Sequence, residues 1–232
     1  MADHEVMDFD ALYQGRSVRM GDDGPTLDVI PWRLDGPQPL VIELAEAGEF
    51  AGPVLEIGCG LGDNALYLAE RGYRITAVDA APTVIEQNRA KAAARGLDVN
   101  FAVADATVLD GVGAGFASAL DSALMHCLSD DQRRAYLAAL HGVCRPGARL
   151  HVLCFPENVG ALFPLPGHTD EASLRRDLGR HWRVERMAIR RYTTSIPRDQ
   201  WTAMSPDPSF AVDFDDHGRT LLPVWQISAV RA

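Results

Sequence analysis

The stretch from Val54 to Asn64 reads V-L-E-I-G-C-G-L-G-D-N, and it decides the fold class of the chain. A short apolar run, typical of a buried strand, is followed directly by glycines at alternate positions and then by a helical pattern that ends at Gly72. A strand, a glycine-rich turn and a helix in this order are typical of the first unit of a parallel α/β sheet. The ligand of such a sheet binds beyond the carboxyl ends of the strands, and glycine lets the turn approach it closely.

The spacing of the glycines separates two classes of nucleotide ligand. Gly58, Gly60 and Gly62 follow the pattern G-x-G-x-G, whereas the dinucleotide fingerprint G-x-G-x-x-G requires its third glycine one position later. Asp63 stands at that position, and its carboxylate would lie close to the expected pyrophosphate, which is electrostatically unfavourable. The spacing therefore disfavours NAD or FAD as the ligand.

Outward from this turn, short apolar runs alternate with longer helical patterns from about residue 37 to residue 155. Buried strands that alternate with helices predict a parallel sheet with helices on both faces. The predicted strands are 54–57, 74–79, 99–103, 116–122 and 148–155, and the predicted helices are 64–71, 82–95 and 129–144, with a turn at 145–147. Beyond them we predict a helix at 169–180, a strand at 182–192, an irregular stretch from 193 to about 218, and a last strand at 221–230.

The pattern as a whole predicts a Rossmann-like α/β fold. We expect a doubly wound, mostly parallel seven-stranded sheet with an antiparallel C-terminal strand hairpin and an N-terminal lid. Residues 1–36 are polar with few periodic features, so we expect them to form the cap or lid segment. Residues 37–232 are expected to form one domain, since 232 residues are too few for two domains of comfortable size.

Two acidic residues end the strands that follow the glycine-rich turn. Asp79 ends the second strand, where a carboxylate can accept hydrogen bonds from both hydroxyls of a ribose. Asp105 ends the third strand, where it can accept from the amino group of an adenine, and the backbone N–H of Ala106 is available to a ring nitrogen. Because the carboxyl ends of parallel strands meet at one edge, these groups together predict a nucleoside site.

These segments resemble the motifs of a known family. E-I-G-C-G-L-G, A-V-D-A-A-P and V-A-D-A-T are similar to the cofactor-binding motifs of class I methyltransferases, and the resemblance covers most of residues 30–155. It implies S-adenosyl-L-methionine (AdoMet) as the cofactor, with S-adenosyl-L-homocysteine as the product. It also implies that the cofactor-binding residues are Trp32, Glu56, Gly58, Cys59, Gly60, Asn64, Asp79, Ala80, Asp105, Ala106 and Asp121.

A narrower resemblance lies upstream. F-D-A-L-Y-Q-G-R and I-P-W-R-L-D-G-P-Q-P are similar to the entry segment of bacterial small-molecule methyltransferases related to thiopurine and halide/thiol methyltransferases, and to actinobacterial heterocycle and phenol methyltransferases. It implies methylation of O, N or S in a small aromatic or heterocyclic molecule, with Tyr13, Trp32 and residues 37–39 folded over the cofactor. The stretch 193–218 departs from this pattern. The expected substrate-binding residues are Tyr13, Met125, Phe155 and Trp201, and Phe163 and Met204 are further apolar candidates.

His126 is the candidate catalytic residue. The methyl group of AdoMet is already a strong electrophile, so the protein mainly aligns the reacting atoms and excludes water. A base matters when the acceptor is protonated, as a phenol with a pKa of about 10 is. His126 follows the fourth strand, and imidazole titrates near neutral pH; the alternative is a histidine that caps a helix or hydrogen bonds within the wall. Cys127 beside it is interpreted as a core thiol.

Two alternative functions stay open on the sequence. One is a methyltransferase of nucleic acid or protein, although the chain carries D-S-A-L at 121–124, where amino-methylating nucleic-acid enzymes carry N/D-P-P-Y/F. A net charge of −10 without a basic stripe also argues against nucleic acid as a partner. The other alternative is a non-catalytic AdoMet-binding protein, in which the binding motifs would look the same.

The remaining composition concerns location and partners. The four cysteines lack metal-ligand spacing, so we expect no metal and predict a reducing cytoplasm. The first ten residues lack the features of a signal peptide, and no run approaches the roughly 18 apolar residues of a membrane span. We therefore expect a small-molecule substrate and no membrane partner, and a chain that is a monomer or a homodimer.

Overall fold

The computed structural model describes residues 8–19, 26–27, 29–157, 159, 166–204 and 212–232. The chain begins with α1 (Phe9–Tyr13), β1 (Val18–Arg19), β2 (Thr26–Leu27) and α2 (Pro39–Glu46). There follow β3 (Val54–Ile57), α3 (Asp63–Glu70), β4 (Ile75–Asp79), α4 (Pro82–Arg95), β5 (Val99–Val103) and β6 (Phe116–Ser122). A 3-10 turn (Met125–Cys127) leads to α5 (Asp130–Val143), β7 (Cys144–Cys154), α6 (Glu171–Leu178), β8 (Trp182–Pro197), α7 (Arg198–Met204), β9 (Asp213–Phe214) and β10 (Arg219–Arg231).

One mixed sheet organises these elements, in the strand order β5-β4-β3-β6-β7-β10-β8. The pairs among β3 to β7 are parallel, whereas β10 runs antiparallel to both of its neighbours and also pairs with β9. The Rossmann-like, mostly parallel fold with antiparallel C-terminal strands is therefore confirmed. The ends of β3, β4, β5, β6 and β7 open on one side of the sheet, which we call the carboxyl edge, and the chain order reverses there between β3 and β6.

Local sequence signals explain where the helices begin and end. Ser129 caps α5 by accepting a hydrogen bond from the Gln132 backbone N–H, and the Gln132 side chain accepts one from the Ser129 N–H in return. Pro82 occupies the first turn of α4, and Gly96 ends this helix in the left-handed conformation. These signals place α4 and α5 so that their first turns face the carboxyl edge.

Helices cover both faces of the sheet. One buried cluster joins the sheet to α5 and α6 and contains Leu55, Ile57, Tyr136, Leu140 and Trp182. On the other face Leu40, Leu66 and Ile85 bring α2, α3 and α4 against Val54 and Leu120. Within the described ranges, no helix is long and apolar enough to cross a membrane.

The turn predicted at 145–147 is wrong, because these residues lie within β7. Cys144 pairs with Phe116 and Arg149 pairs with Ser118, so six positions of β7 lie opposite three of β6. The extra residues form a bulge, with Gly147 at a φ of 74°. A Pro-Gly pair thus marks an irregularity within a strand here rather than its start.

The irregular stretch predicted from residue 193 is also wrong over much of its length. β8 continues through Pro197, which pairs with Arg219 of β10, and α7 follows directly. The Thr194 hydroxyl donates to the Thr220 carbonyl oxygen at 3.0 Å, so side chains reinforce this pairing. Pairing with a strand distant in sequence overrides the local pattern, and residues 205–211 lie outside the described ranges.

Candidate active site

The turn after β3 has the geometry that its glycines predict. Gly58, Gly60 and Gly62 all have positive φ, between 48° and 76°. A Cβ at Gly58 would lie 2.8 Å from the Cβ of Leu124, and one at Gly62 would lie 2.7 Å from the side chain of Asn88. The turn is therefore closed to side chains and presents backbone at the carboxyl edge.

Asp79 holds this turn against the end of β4. One carboxylate oxygen accepts from the Gly60 N–H at 2.9 Å, and the other accepts from the Ala81 N–H at 3.0 Å. Burial raises the pKa of Asp79, and the hydrogen bonds from Ala81 and Gly60 lower it. Ala80 lies exposed at the strand end. The carboxylate thus fixes the turn at the end of β4.

Asn88 of α4 is a site residue that sequence analysis missed. It is fully buried, and its Nδ2 donates to the Gly60 carbonyl oxygen at 2.7 Å. It also fills the space that a side chain at position 62 would need. The only signal in the sequence is an amide in the middle of a helix, which does not reveal its partner 28 residues away.

Beneath the turn, a buried polar chain starts at Glu56 of β3. Its Oε1 accepts from Asn64 Nδ2 at 3.1 Å, and Asn64 Oδ1 accepts from the backbone N–H of Gln38 at 2.9 Å. The Gln38 amide in turn donates to the Thr193 carbonyl oxygen of β8 at 2.8 Å. Sequence analysis missed Gln38, because this contact joins residues 155 positions apart.

Only one of the two carboxyl oxygens of Glu56 has a hydrogen-bond partner among the described residues. The Glu56 side chain is fully buried, and its Oε2 has no hydrogen-bond partner among these residues. Burial raises its pKa to about 8, while the hydrogen bond from Asn64 lowers it. At neutral pH the carboxyl is thus mostly protonated.

Asp105 lies exposed after β5, at the position expected for adenine recognition. Its Oδ1 accepts from the Thr107 N–H at 2.8 Å and from the Thr107 hydroxyl at 2.7 Å. Ala106 is half-buried, and the Ala104 N–H donates to the Asp79 carbonyl oxygen at 3.0 Å. These bonds place the end of β5 beside the end of β4.

Asp121 at the end of β6 is fully buried. Its Oδ1 accepts from the backbone N–H groups of Leu124 at 2.8 Å and Met125 at 3.3 Å, and its Oδ2 accepts from the Tyr136 hydroxyl at 3.0 Å. Burial raises its pKa to about 6, and these hydrogen bonds lower it. Its carboxylate therefore shapes the turn after β6, where Ala123 has a φ of 79°, a strained conformation for a residue with a Cβ.

His126 lies in the 3-10 turn that follows, and it is buried. Its Nδ1 accepts from the Phe155 N–H at 3.5 Å, and its ring packs on the Phe155 ring with the centroids 4.6 Å apart. The Phe155 ring in turn contacts Tyr192 of β8, centroid to centroid at 5.2 Å. We call His126, Phe155 and Tyr192 the aromatic wall. Tyr192 is its member that sequence analysis missed.

The N-terminal segment also reaches the glycine turn. The Tyr13 hydroxyl and the Trp32 indole nitrogen lie 3.1 and 3.3 Å from where a Gly60 Cβ would stand. The two rings contact each other edge to face, and Phe9 also packs on Trp32. Tyr13 and Trp32 therefore cover the turn.

The remaining predicted residues lie deeper or further away. Met125 is fully buried in the core cluster under α5, and Cys59 is buried within the turn. Trp201 of α7 is buried with Val159 and Ile196. Cys127 is half-buried and donates from Sγ to the Ala123 carbonyl oxygen, and burial raises its pKa to about 12. Phe163 and the Met204 side chain lie outside the described residues.

These residues fit AdoMet on two observations. The turn has no side chain at Gly58, Gly60 and Gly62, and it lies next to a strand-end carboxylate suited to a ribose. Below the turn, Glu56 Oε2 is a buried polar atom that the described protein groups leave without a hydrogen-bond partner. Within the described ranges no cluster of three or more potential metal ligands occurs.

Comparison with known sequences agrees with this geometry. Residues 54–147 match a family model described as a methyltransferase domain. The chain is 36% identical over 182 residues to the 2-heptyl-1-hydroxyquinolin-4(1H)-one methyltransferase of Mycobacteroides abscessus, covering 76% of this chain and 77% of that protein. It is also 37% identical to the demethylmenaquinone methyltransferase of Thermus thermophilus over 105 residues, which are 44% of this chain and 47% of that protein.

Solved structures share the fold. One, solved in work on the conversion of a disulfide bond into a thioacetal group during echinomycin biosynthesis, superposes with a TM-score of 0.76 at 33% identity, covering 96% of this chain and 91% of that one. The magnesium protoporphyrin IX methyltransferase of Synechocystis, with bound S-adenosylhomocysteine, gives a TM-score of 0.58 at 19% identity, over 83% of this chain and 80% of that one. At that identity the second likeness concerns the fold.

Proposed function

The chain belongs to the class I AdoMet-dependent methyltransferases, and we propose that it methylates an O, N or S atom of a small aromatic or heterocyclic molecule. The observation that carries this proposal is the aromatic wall, whose rings lie next to the turn after β6. A flat aromatic acceptor would pack on such rings. The relative from M. abscessus, named for a hydroxyquinolinone, supports the same class of acceptor.

AdoMet is the methyl donor of this enzyme. We propose that Gly58, Cys59 and Gly60 bind its methionyl part through the backbone, and that Asp79 with Ala80 binds the ribose. Asp105 and Ala106 would bind the adenine. The contributions of Glu56, Asn64 and Asp121 are proposed to be indirect, because these side chains hydrogen bond to protein groups that shape the turns.

Methyl transfer requires the protein mainly to position the two reactants. When bound, AdoMet supplies a methyl group on a positively charged sulfur, which leaves readily as a neutral thioether. Alignment of reactants in a site without water is worth roughly 7–11 kcal/mol. Tyr13 and Trp32 would exclude water from the cofactor side, and the aromatic wall would orient the acceptor, together with the proposed substrate residues Met125 and Trp201.

The N-terminal segment is proposed to act as the lid. Its described part places Tyr13 and Trp32 against the glycine turn, and Asp10 of α1 accepts from the Thr83 N–H of α4 at 3.0 Å. Residues 1–36 would then form the lid and 37–232 the catalytic domain. A cytoplasmic location is also proposed, supported by the four free cysteines.

The test of this function is release of S-adenosylhomocysteine. Purified protein would be incubated with AdoMet and a panel of hydroxyaromatics, thiols and N-heterocycles, with structured RNA and a protein extract as further acceptors. We expect turnover with members of the small-molecule panel only. Turnover with RNA or protein alone, or AdoMet binding without turnover on any acceptor, would contradict the proposal.

A further inference from the structure

His126 is the histidine of the aromatic wall, and its Nε2 carries a proton rather than a lone pair. His126 Nδ1 accepts the backbone N–H of Phe155, so the neutral ring carries its proton on Nε2. Burial against the Phe155 ring lowers the pKa of His126 to about 3, and no charged group contributes to that shift. In this arrangement Nε2–H is available to donate a hydrogen bond, and Nε2 has no lone pair that could take the proton of an acceptor.

Within the described ranges, the other titratable groups at the strand ends are engaged in hydrogen bonds or hold their own protons. Asp79 accepts from the Gly60 and Ala81 N–H groups. Asp121 accepts three protein hydrogen bonds, and Glu56 lies beneath the glycine turn. Burial raises the pKa of both carboxyl groups. It also raises the pKa values of the thiols and phenols at this edge of the sheet, and these thiols and phenols stay protonated at neutral pH. These thiols and phenols are Tyr13, Cys127, Tyr136, Cys154 and Tyr192.

We infer that this site selects acceptors whose nucleophilic atom has lost its proton before methyl transfer, which means acidic hydroxyl groups on heteroaromatic rings and thiols rather than ordinary phenols. The inference rests on the proposed function and narrows its substrate class. His126 is then a positioning residue, whose Nε2–H donates to the anionic acceptor atom. This replaces the role of general base that the sequence suggested for it.

The electrostatics of the site agree with an anionic acceptor. Of the two buried carboxyl groups, Glu56 has a pKa that burial raises to about 8 and is mostly neutral at pH 7. Asp121, whose pKa burial raises to about 6, is mostly ionised, and three hydrogen bonds from protein groups compensate its charge. An anion would be attracted by the positive sulfur of the methyl donor, and this attraction is strong where water is excluded. A neutral imidazole also donates to an anion without first gaining a proton.

The transfer step balances without a base. The acceptor oxygen or sulfur releases its proton to solvent before it binds. Its lone pair then forms the bond to the methyl carbon while the carbon–sulfur bond breaks, and that electron pair stays on sulfur as the neutral thioether. At pH 7 about one in a thousand molecules of a phenol with a pKa of about 10 is ionised, so such a phenol is a poor substrate.

The first test reads the ionisation of a bound acceptor directly. The probe is 4-nitrophenol, whose anion alone absorbs in the visible range, with protein and an unreactive amino analogue of AdoMet in which an ammonium replaces the sulfonium. At about one pH unit below the free pKa of the probe, we expect the spectrum of the anion on binding. A bound probe that keeps the spectrum of the neutral phenol would overturn the inference.

The second test is the pH dependence of kcat/KM over a series of ring hydroxyls of graded acidity. We expect the midpoint of each profile to follow the pKa of that substrate, in the wild type and in His126→Gln alike. His126→Gln keeps an N–H donor but has no group that titrates. We expect kcat to fall and the midpoints of the pH profiles to stay at their wild-type values. His141→Gln, which alters a histidine on α5 beside His181 and Trp182, is the control and should change neither.

The outcomes separate the inference from the proposed function. One midpoint shared by all substrates, and lost in His126→Gln, would make His126 the base and overturn the inference while the proposed function stands. AdoMet binding without turnover on any member of the series would overturn both. Midpoints that follow the substrates, together with the spectrum of the bound anion, would establish the substrate class.

Discussion

The two halves of the carboxyl edge are built by different means. On the half formed by the ends of β3, β4 and β5, backbone groups define the surface, and Asp79 and Asn88 fix them through hydrogen bonds of 2.7–3.0 Å. On the half beyond β6, packed rings define the surface, and the hydrogen bond between Phe155 and His126 is 3.5 Å long. A backbone surface tolerates few changes, whereas a wall of side chains can change with the acceptor. We therefore propose that the first half binds the common cofactor and the second binds the individual substrate.

A side chain in the glycine turn is expected to cause the largest loss of AdoMet affinity. Gly62→Ala would strain a residue at a φ of 76° and place a Cβ 2.7 Å from the Asn88 side chain, which is itself fixed to Gly60. We expect AdoMet affinity, measured by calorimetry, to fall by about a hundredfold. The free energy of unfolding should fall by about 1–3 kcal/mol.

The matched control is Gly72→Ala. Gly72 has a φ of 84°, so the backbone strain is similar, but a Cβ there has nothing within 4 Å. AdoMet affinity should stay within about twofold of the wild type. Equal losses of affinity in the two variants would mean that backbone strain alone, rather than the contact with Asn88, explains the effect.

The half that serves the cofactor was also the predictable half. The glycine spacing and strand-end acids lie within short segments, so their positions follow from local patterns once the strands are assigned. Asn88, Gln38 and Tyr192 were missed because their partners are distant in sequence, and no local pattern reveals a contact such as that of Gln38 with Thr193. The end of β8 was missed for the same reason, since its pairing with β10 decides it.

A second prediction concerns Glu56 and the pH dependence of stability. Burial raises its pKa to about 8 in the folded chain, against about 4.3 in the unfolded chain. The folded state therefore binds this proton more tightly than the unfolded state does. Its contribution to the free energy of unfolding is fully present below the unfolded pKa and is lost as pH rises towards 8. Between pH 6 and pH 8 the wild type should lose about 2 kcal/mol more than Glu56→Gln, measured by denaturant unfolding. Parallel curves for the two proteins would show that the buried carboxyl is ionised throughout.

Asp79→Ala is expected to have a smaller effect on the same half. It removes the acceptor that fixes the Gly60 and Ala81 N–H groups as well as the proposed ribose contact. AdoMet affinity should fall by at least about tenfold in calorimetry, with an unchanged circular dichroism spectrum. Asp98→Ala, at the exposed opposite end of β5, is the control and should bind normally. Unchanged affinity in Asp79→Ala would refute the ribose assignment.

The smallest expected effect is a change in kcat/KM caused by a substitution in the half beyond β6. Tyr192→Phe keeps the ring that packs on Phe155 and removes only the hydroxyl, so kcat/KM for an aromatic acceptor should fall about two- to fivefold, the range of one hydrogen bond. AdoMet affinity should stay constant, because this residue belongs to the wall and not to the turn. Tyr73→Phe, whose ring packs on Phe50 away from the site, is the control. The contrary result would be that Tyr192→Phe weakens AdoMet binding as much as it weakens turnover. That result would mean that the hydrogen bonds from β8 through Gln38 and Asn64 to Glu56 couple the two halves. The assignment of separate roles to the two halves would then be wrong.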